Sequence, residues 1–169
     1  SADGQQLILA WRDEPSWQVE YFSSAAGITQ LGQLAAQIHA IPARLKILDL
    51  ADYLQQLMAG LPSLSQTVCQ RIEQQQAMLR ALPVISPVFC HNDINPTNLL
   101  GTKPWLVDWE YAALGDPAFE LAGICRVGQF DMRQQQVLVN SYQAAGGCCE
   151  LNRVIQMLVV VDLVSLLWC

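Results

Sequence analysis

Most of the chain carries apolar residues at steps of three and four, the spacing that places side chains on one face of an α-helix. In the clearest example, Ile28, Leu31 and Leu34 lie on such a face, and Pro42 ends the predicted helix. The same spacing predicts helices over residues 48–57, 65–82, 131–145 and 150–168. With 169 residues, the chain is long enough to bury a sizeable core, so we expect a mainly α-helical domain.

Composition and charge exclude several classes of protein. Apolar residues make up 52% of the chain and charged residues 14%, which excludes general disorder. The net charge is −6, and the only lysines are Lys46 and Lys103, so the chain lacks the basic surface of a nucleic-acid-binding protein. An acidic protein instead suits a cationic small molecule, or an anion that arrives with its own metal.

The longest apolar stretch, residues 157–169, is interrupted by Asp162 and Ser165. Because a membrane span needs roughly 20 largely apolar residues, this stretch predicts a buried helix and no membrane partner. The first residues lack the pattern of a signal peptide, and the cysteines do not have the spacing of a zinc site. We therefore expect a cytoplasmic protein with reduced thiols, and the oligomeric state stays open.

Residues 88–120 differ from the helical remainder because polar side chains cluster there in an irregular stretch, residues 91–98. Two short apolar runs then flank the turn at residues 101–104, which predicts a small β-hairpin. Folding that hairpin brings Asn98 and Asp108 close together at its open end. Asp93, in the preceding loop, is confined to the same end.

Such a cluster can bind a metal ion and transfer a proton. Mg²⁺ prefers oxygen ligands and retains several waters, so one carboxylate and one amide suffice beside phosphate oxygens. A further carboxylate can accept the proton of a hydroxyl nucleophile. The order Asp93, Asn98 and Asp108 matches the catalytic-loop and metal-binding residues of protein kinases.

Three motifs in this segment resemble the aminoglycoside phosphotransferase and choline kinase superfamily, and choline, ethanolamine and thiamine kinases most of all. They are His-Asn-Asp-Ile-Asn-Pro-Thr-Asn at 91–98, Leu-Val-Asp-Trp-Glu-Tyr at 106–111 and Gly-Asp-Pro-Ala-Phe-Glu-Leu-Ala at 115–122. The resemblance implies a protein-kinase-like C-terminal lobe, mainly α with a small β-hairpin, from an α+β parent protein. Residues 1–14 would be the end of the N-terminal lobe and the hinge, with a strand at 7–11. Residues 15–169 would be the helical C-terminal lobe, truncated at both ends.

The resemblance also implies roles for individual residues. Asp93 would be the catalytic base, and Asn98 and Asp108 would hold Mg²⁺ against the phosphates of ATP. His91 and Asp116 would brace the loop, Asp116 by capping a helix, and Glu120 would tie the loop down. Trp109 and Glu110 are candidates for substrate contact, although Trp109 also suits a packing role. His39, on the apolar face of its helix, suits a core or capping role.

Two departures from the family pattern leave alternatives open. Asn92 stands where many members have glycine, a mild change because asparagine tolerates a left-handed backbone. No glycine-rich phosphate loop or strand lysine precedes the catalytic loop in this sequence. We therefore expect an ATP- and Mg²⁺-dependent kinase for the hydroxyl of a small, cationic molecule, such as choline, ethanolamine, thiamine or an aminoglycoside. The alternative is a catalytically idle kinase-like binding domain, and we expect residues 1–169 alone to show no appreciable activity.

A third alternative is a metal-dependent hydrolase that uses His91 and Asp93 as ligands. It ranks last because it needs further ligands at metal spacing, and the only other histidine is His39.

Overall fold

The computed structural model describes residues 13–61 and 63–168. Its helices are α1 (Val19–Phe22), α2 (Ala25–His39), α3 (Leu50–Ala59), α4 (Gln66–Ala81), α5 (Pro117–Val127), α6 (Met132–Ala144) and α7 (Leu151–Trp168). The strands are β1 (Val88–Cys90), β2 (Leu99–Leu100), β3 (Trp105–Leu106) and β4 (Ala113–Gly115), with a 3₁₀ turn at Pro96–Asn98. This architecture confirms the predicted mainly helical fold. The predicted strand at residues 7–11 lies outside the described residues.

Side-chain caps explain where most of the helices begin. The side chains of Ser24, Asp49 and Ser65 accept hydrogen bonds from backbone N–H groups in the first turns of α2, α3 and α4. Asp131 does so for α6, where Gln134 bonds back to the Asp131 backbone and completes a capping box. These polar caps satisfy N–H groups that the helix itself leaves unpaired.

The core forms where α2 packs on α6 and α5 packs on α7. Its largest fully buried side chains include Phe22, Ile28, Leu31, Leu121 and Met157. The periodic apolar positions of the sequence thus supply the packed faces, as expected for helices stabilised mainly by burial.

Helix α7 is long and apolar enough, by length and composition, to cross a membrane. In this fold one face of α7 is buried through Val154, Met157 and Val160, while Leu166 and Trp168 are exposed. Helices of this composition also form the cores of globular domains, and α7 packs on α5 in that way.

Two small antiparallel sheets hold the segment between α4 and α5. Strands β2 and β3 pair Leu99 with Leu106 and confirm the predicted hairpin. Strands β1 and β4, which pair Val88 with Gly115, were not predicted, because three-residue strands are too short to show alternation. The β1–β4 pair matters for the site, since it brings together the two ends of the segment between these strands, which contains Asp93, Asn98 and Asp108.

Candidate active site

Asp93 is held by the side chains of two asparagines from its own loop. Its Oδ2 oxygen accepts a hydrogen bond from Nδ2 of Asn98 at 2.8 Å, and its Oδ1 oxygen accepts one from Nδ2 of Asn95 at 3.0 Å. The Asn98 Nδ2 group also donates to the Asp93 backbone oxygen at 3.0 Å. The Asn98 amide nitrogen is thus engaged, while its Oδ1 oxygen takes part in none of the hydrogen bonds among the described residues.

The β2–β3 hairpin places Asp108 beside this pair. The Val107 N–H donates to the Asn98 backbone oxygen at 3.0 Å, so the next residue, Asp108, begins at the same end of the hairpin. Asp108 is exposed and has a φ of 63°, a left-handed conformation that aspartate tolerates better than most residues. The backbone therefore brings the three residues singled out from the sequence to one end of the hairpin.

His91 joins the loop of residues 91–98 to Val107, the residue that precedes Asp108. It is fully buried, its Nε2 lies 2.9 Å from the Val107 oxygen, and its Nδ1 accepts the Asp93 N–H at 3.2 Å. A carbonyl can only accept, so Nε2 carries the proton and Nδ1 does not. Because both ring nitrogens are engaged within the protein, His91 is a poor metal ligand, which argues against the hydrolase alternative.

Glu120 of α5 fixes the backbone just before Asp93. Its Oε2 oxygen accepts the N–H groups of His91 at 2.7 Å and Asn92 at 2.6 Å. Asn92 has a φ of 66°, which is the left-handed conformation expected from the sequence. Its Nδ2 group donates to the Tyr111 backbone oxygen at 2.9 Å, so this side chain spans the loop as well.

Asp116 begins α5 and anchors it to α7. Its Oδ1 oxygen accepts the Ala118 N–H at 2.9 Å, which is the predicted N-cap, with Pro117 at the first helical position. Its Oδ2 oxygen accepts hydrogen bonds from Arg153 Nε at 2.8 Å and Nη2 at 2.7 Å. This partner could not be predicted from the sequence, because Arg153 lies 37 residues further along the chain, in α7.

A cleft of about 610 Å³ opens beside Asp93. The residues that line it come from the segment before α3, from α3, the loop of residues 91–98, the segment after β3, α5 and α7: Leu48, Tyr53, Asn92, Asp93, Glu110, Tyr111, Phe119, Val164, Ser165 and Trp168. None of these described residues is basic, while two are carboxylates and three are tyrosine or tryptophan. The cleft is therefore acidic and aromatic.

Glu110 and Tyr111 interact within this cleft. A hydrogen bond with Glu110 raises the pKa of the Tyr111 hydroxyl, and the charge of Glu110 adds to that effect. The Tyr111 ring also packs edge-on against Trp168, with ring centroids 5.2 Å apart. Tyr53, Tyr111 and Trp168 were not singled out as cleft residues, because aromatic side chains at these positions are indistinguishable from core residues in a sequence.

Trp109 does not line the cleft. Its ring stacks on Phe89, with centroids 5.4 Å apart and planes 8° from parallel, and contacts His91 edge-on at 4.7 Å. Its Nε1 group donates to the Leu106 oxygen at 3.0 Å. Of the two candidates for substrate contact, Glu110 lines the cleft, whereas Trp109 packs against the loop.

The site is thus built from a loop, a hairpin and a capped helix, and comparison with known proteins identifies the family. The phosphotransferase enzyme family matches residues 13–154, which is most of the chain. The chain belongs to this family.

Individual relatives cover less of the chain or share only its fold. A LicA homologue from Mycoplasma capricolum is 39% identical over 54 residues, which are 31% of this chain and 23% of that protein. The choline kinase LicA from Streptococcus pneumoniae superposes with a TM-score of 0.77 at 17% identity, over 92% of this chain and 58% of that one. Macrolide 2'-phosphotransferase MphH from Brachybacterium faecium gives 0.67 at 21% identity, over 87% of this chain and 55% of that one.

The chain therefore spans little more than half the length of these solved structures. Its fold is that of protein-kinase-like choline kinases, and the partial coverage fits their C-terminal lobe.

Proposed function

We propose that the protein carrying this chain transfers the γ-phosphoryl group of ATP, with Mg²⁺, to the hydroxyl of a small cationic molecule. One observation carries the proposal: the Asp93 carboxylate, oriented by Asn95 and Asn98, lies in the wall of an acidic and aromatic cleft. Membership of the phosphotransferase family supports the reaction class.

Asp93 has the position of a catalytic base. Both of its oxygens accept hydrogen bonds from amide groups, which fixes the direction of the carboxylate without neutralising its charge. A hydroxyl bound in the cleft would donate to this carboxylate and lose its proton to it as the phosphoryl group arrives. His91 and Asp116 would act by bracing, since the former holds the Asp93 N–H and the latter fixes the start of α5.

Asn98 and Asp108 would hold the metal. The Asn98 amide nitrogen is directed at Asp93, which leaves its Oδ1 oxygen for a cation, and the Asp108 carboxylate makes no hydrogen bond among the described residues. An amide and a carboxylate oxygen are ligands that Mg²⁺ favours. When bound, Mg²⁺ would offset the negative charge of the phosphates.

The walls of the cleft favour a cationic substrate. Glu110 supplies a negative charge, and Tyr111 and Trp168 supply aromatic faces and edges of the kind that bind ammonium groups. Solved neighbours include a choline kinase and a macrolide phosphotransferase, so choline, ethanolamine, thiamine and aminoglycosides are the compounds to test. We place the C-terminal lobe at residues 15–169 and the end of the N-terminal lobe with the hinge at 1–14. A catalytically idle binding domain remains the alternative.

Formation of ADP by the purified parent protein tests the proposal. We expect turnover with at least one of these alcohols, dependent on Mg²⁺ and abolished by Asp93→Asn. Glu110→Gln should raise KM for a cationic substrate about tenfold, because a lost contact of about 1.4 kcal/mol has that effect. Glu73→Gln, an exposed change on α4, is the matched control and should leave kcat and KM unchanged.

Absence of turnover with every alcohol, together with intact nucleotide binding, would favour the idle binding domain. Turnover that survives Asp93→Asn would contradict the assignment of the base.

A further inference from the structure

Three polar side chains from α2, α5 and α6 meet in the core next to the backbone of the loop that carries Asp93. His39 is 9% exposed, Glu120 3% and Tyr142 1%. His39 Nε2 lies 2.7 Å from Glu120 Oε1, and His39 Nδ1 lies 2.8 Å from the Tyr142 hydroxyl. We call this chain of hydrogen bonds, Tyr142 to His39 to Glu120, the buried relay.

The buried relay ends on the backbone of the catalytic loop. The two oxygens of Glu120 have different partners. Oε1 faces His39, and Oε2 accepts the N–H groups of His91 and Asn92. A buried carboxylate is costly unless donors surround it, and here it needs the histidine as well as the loop. Any rotation of the Glu120 side chain would pull on the two residues that precede Asp93.

The hydrogen bonds also favour one tautomer of His39. Because Glu120 accepts from His39 Nε2, that nitrogen carries a proton, and a neutral imidazole then accepts the Tyr142 O–H at Nδ1. Burial raises the pKa of the Tyr142 hydroxyl, so it stays protonated and remains able to donate. Tyr142 therefore favours the tautomer that Glu120 requires.

A buried metal site at the same place is the competing interpretation. The ligand atoms of His39, Cys90 and Glu120 lie within 4.8 Å of one another. However, His39 and Glu120 already satisfy each other, and burial raises the pKa of the Cys90 thiol, which opposes the thiolate that a metal would bind. The arrangement therefore suits hydrogen bonding better than coordination.

We propose that His39 is a positioning residue for phosphoryl transfer, acting through Glu120 on the loop that carries Asp93, and that Tyr142 sets its tautomer. The inference rests on the proposed function for its kinetic consequence alone. Its structural consequence, a loop whose backbone depends on His39, can be measured without any turnover.

Two measurements on the parent protein test the buried relay: steady-state kinetics with nucleotide affinity, and amide hydrogen exchange of peptides covering residues 88–98. His39→Leu should lower kcat about 100-fold, the effect of moving a reacting group by about 1 Å, with nucleotide Kd within about twofold of the original. It should also speed exchange of the 88–98 peptides relative to peptides from α4.

Two further variants separate positioning from general loss of stability. His39→Gln keeps a donor for Glu120 and should recover most of kcat, and Tyr142→Phe should lower kcat less than His39→Leu does. Leu138→Ala, a buried change one turn before Tyr142 on α6, is the control for a destabilised core. It should leave kcat and the ratio of exchange rates unchanged.

The outcomes are distinct. If the unsubstituted protein shows no turnover, the proposed function fails, and hydrogen exchange alone decides the buried relay. If His39→Leu leaves the exchange ratio unchanged, or lowers kcat no more than Leu138→Ala does, the positioning role is wrong. If zinc binds the unsubstituted protein stoichiometrically and the His39→Leu variant does not bind it, the metal interpretation replaces ours.

Discussion

The paired side chains Asp116 and Arg153 offer a stability prediction with a control built into the chain. Asp116 caps α5 through Ala118 and accepts two hydrogen bonds from Arg153, whose Nη1 group also donates to the Pro83 oxygen at 3.1 Å. One carboxylate thus joins the start of α5, helix α7 and the segment after α4. Asp116→Ala removes the cap and both hydrogen bonds from Arg153, and it leaves the hydrogen bond between Arg153 and Pro83 in place.

The expected loss in the free energy of unfolding follows from the burial of the Asp116–Arg153 pair. The Arg153 and Asp116 side chains are 18% and 10% exposed, so removing the carboxylate leaves a largely buried guanidinium with the Pro83 oxygen as its remaining partner. Breaking a fully buried pair costs about 3–5 kcal/mol, and the residual exposure reduces this to about 2–3 kcal/mol. The lost cap adds about 1 kcal/mol. We expect the free energy of unfolding to fall by about 3–4 kcal/mol and Tm by about 6–16 °C.

The pair Arg126 and Asp162 is the matched control. It has the same chemistry and a shorter distance, 2.6 Å between Arg126 Nη2 and Asp162 Oδ2, but its side chains are 43% and 52% exposed. Exposed pairs contribute about 0–1 kcal/mol, so Asp162→Ala should cost about 0.5 kcal/mol or less. Urea denaturation followed by circular dichroism measures both variants.

Two more variants divide the cost of Asp116→Ala into its parts. Asp116→Ser retains an oxygen that can cap α5 and should be about 1 kcal/mol more stable than Asp116→Ala. Adding Arg153→Met to Asp116→Ala removes the stranded charge and should recover part of the loss. The reasoning is refuted if Asp116→Ala and Asp162→Ala cost the same, or if Arg153→Met adds its full cost to that of Asp116→Ala.

Three further predictions concern the site and the buried thiols. Asp93→Asn should abolish phosphoryl transfer and leave Mg²⁺·ATP affinity unchanged in calorimetry, because the base acts on the hydroxyl. Asp108→Ala should remove the metal dependence of nucleotide binding, measured by titration with and without Mg²⁺, since the site loses its main charge. Burial raises the pKa of the Cys125 and Cys149 thiols to about 12, so above pH 9 the unfolded chain loses protons that the folded chain keeps. Stability should therefore be full below pH 9 and fall between pH 9 and 12, and a Cys149→Ala variant should show a smaller fall.

Local signals in the sequence predicted most of the fold correctly. Helices α2, α3, α4, α6 and α7 were predictable because each buries one periodic face, and the start of α5 because Asp116 and Pro117 form an N-cap that needs no distant partner. The single turn of α1 was not predicted, because four residues are too few to show a period. The hairpin was predictable from its turn. The β1–β4 pair was not, since its strands lie far apart in the sequence and are too short to show a pattern.

The same limit applies to the site. The polar cluster of the 91–98 loop could be predicted because the spacing of its residues is local, and so could the left-handed Asn92. The roles of His39 and Tyr142 could not be predicted, because these residues come from two other helices and meet Glu120 only in the packed core. Glu120 was expected to tie the loop down, but only the fold shows that His39, treated as an ordinary core histidine, lies behind it.

The negative charges around the cleft would favour both proposed cations, Mg²⁺ and a cationic substrate, for the same electrostatic reason. Asp93 and Glu110 line the cleft, Asp108 lies at the adjoining end of the hairpin, and none of the described lining residues is basic. Carboxylates this close repel one another, and nucleotide phosphates would add to that repulsion. A divalent cation beside Asn98 and Asp108 would offset the negative charge next to the phosphates, and a cationic alcohol beside Glu110 would offset the negative charge on the substrate side. Because a positive charge at position 110 would reduce the repulsion that the phosphates experience, we expect Mg²⁺·nucleotide, whose net charge is negative, to bind more tightly to Glu110→Lys than to Glu110→Gln, with a difference that shrinks as salt is added.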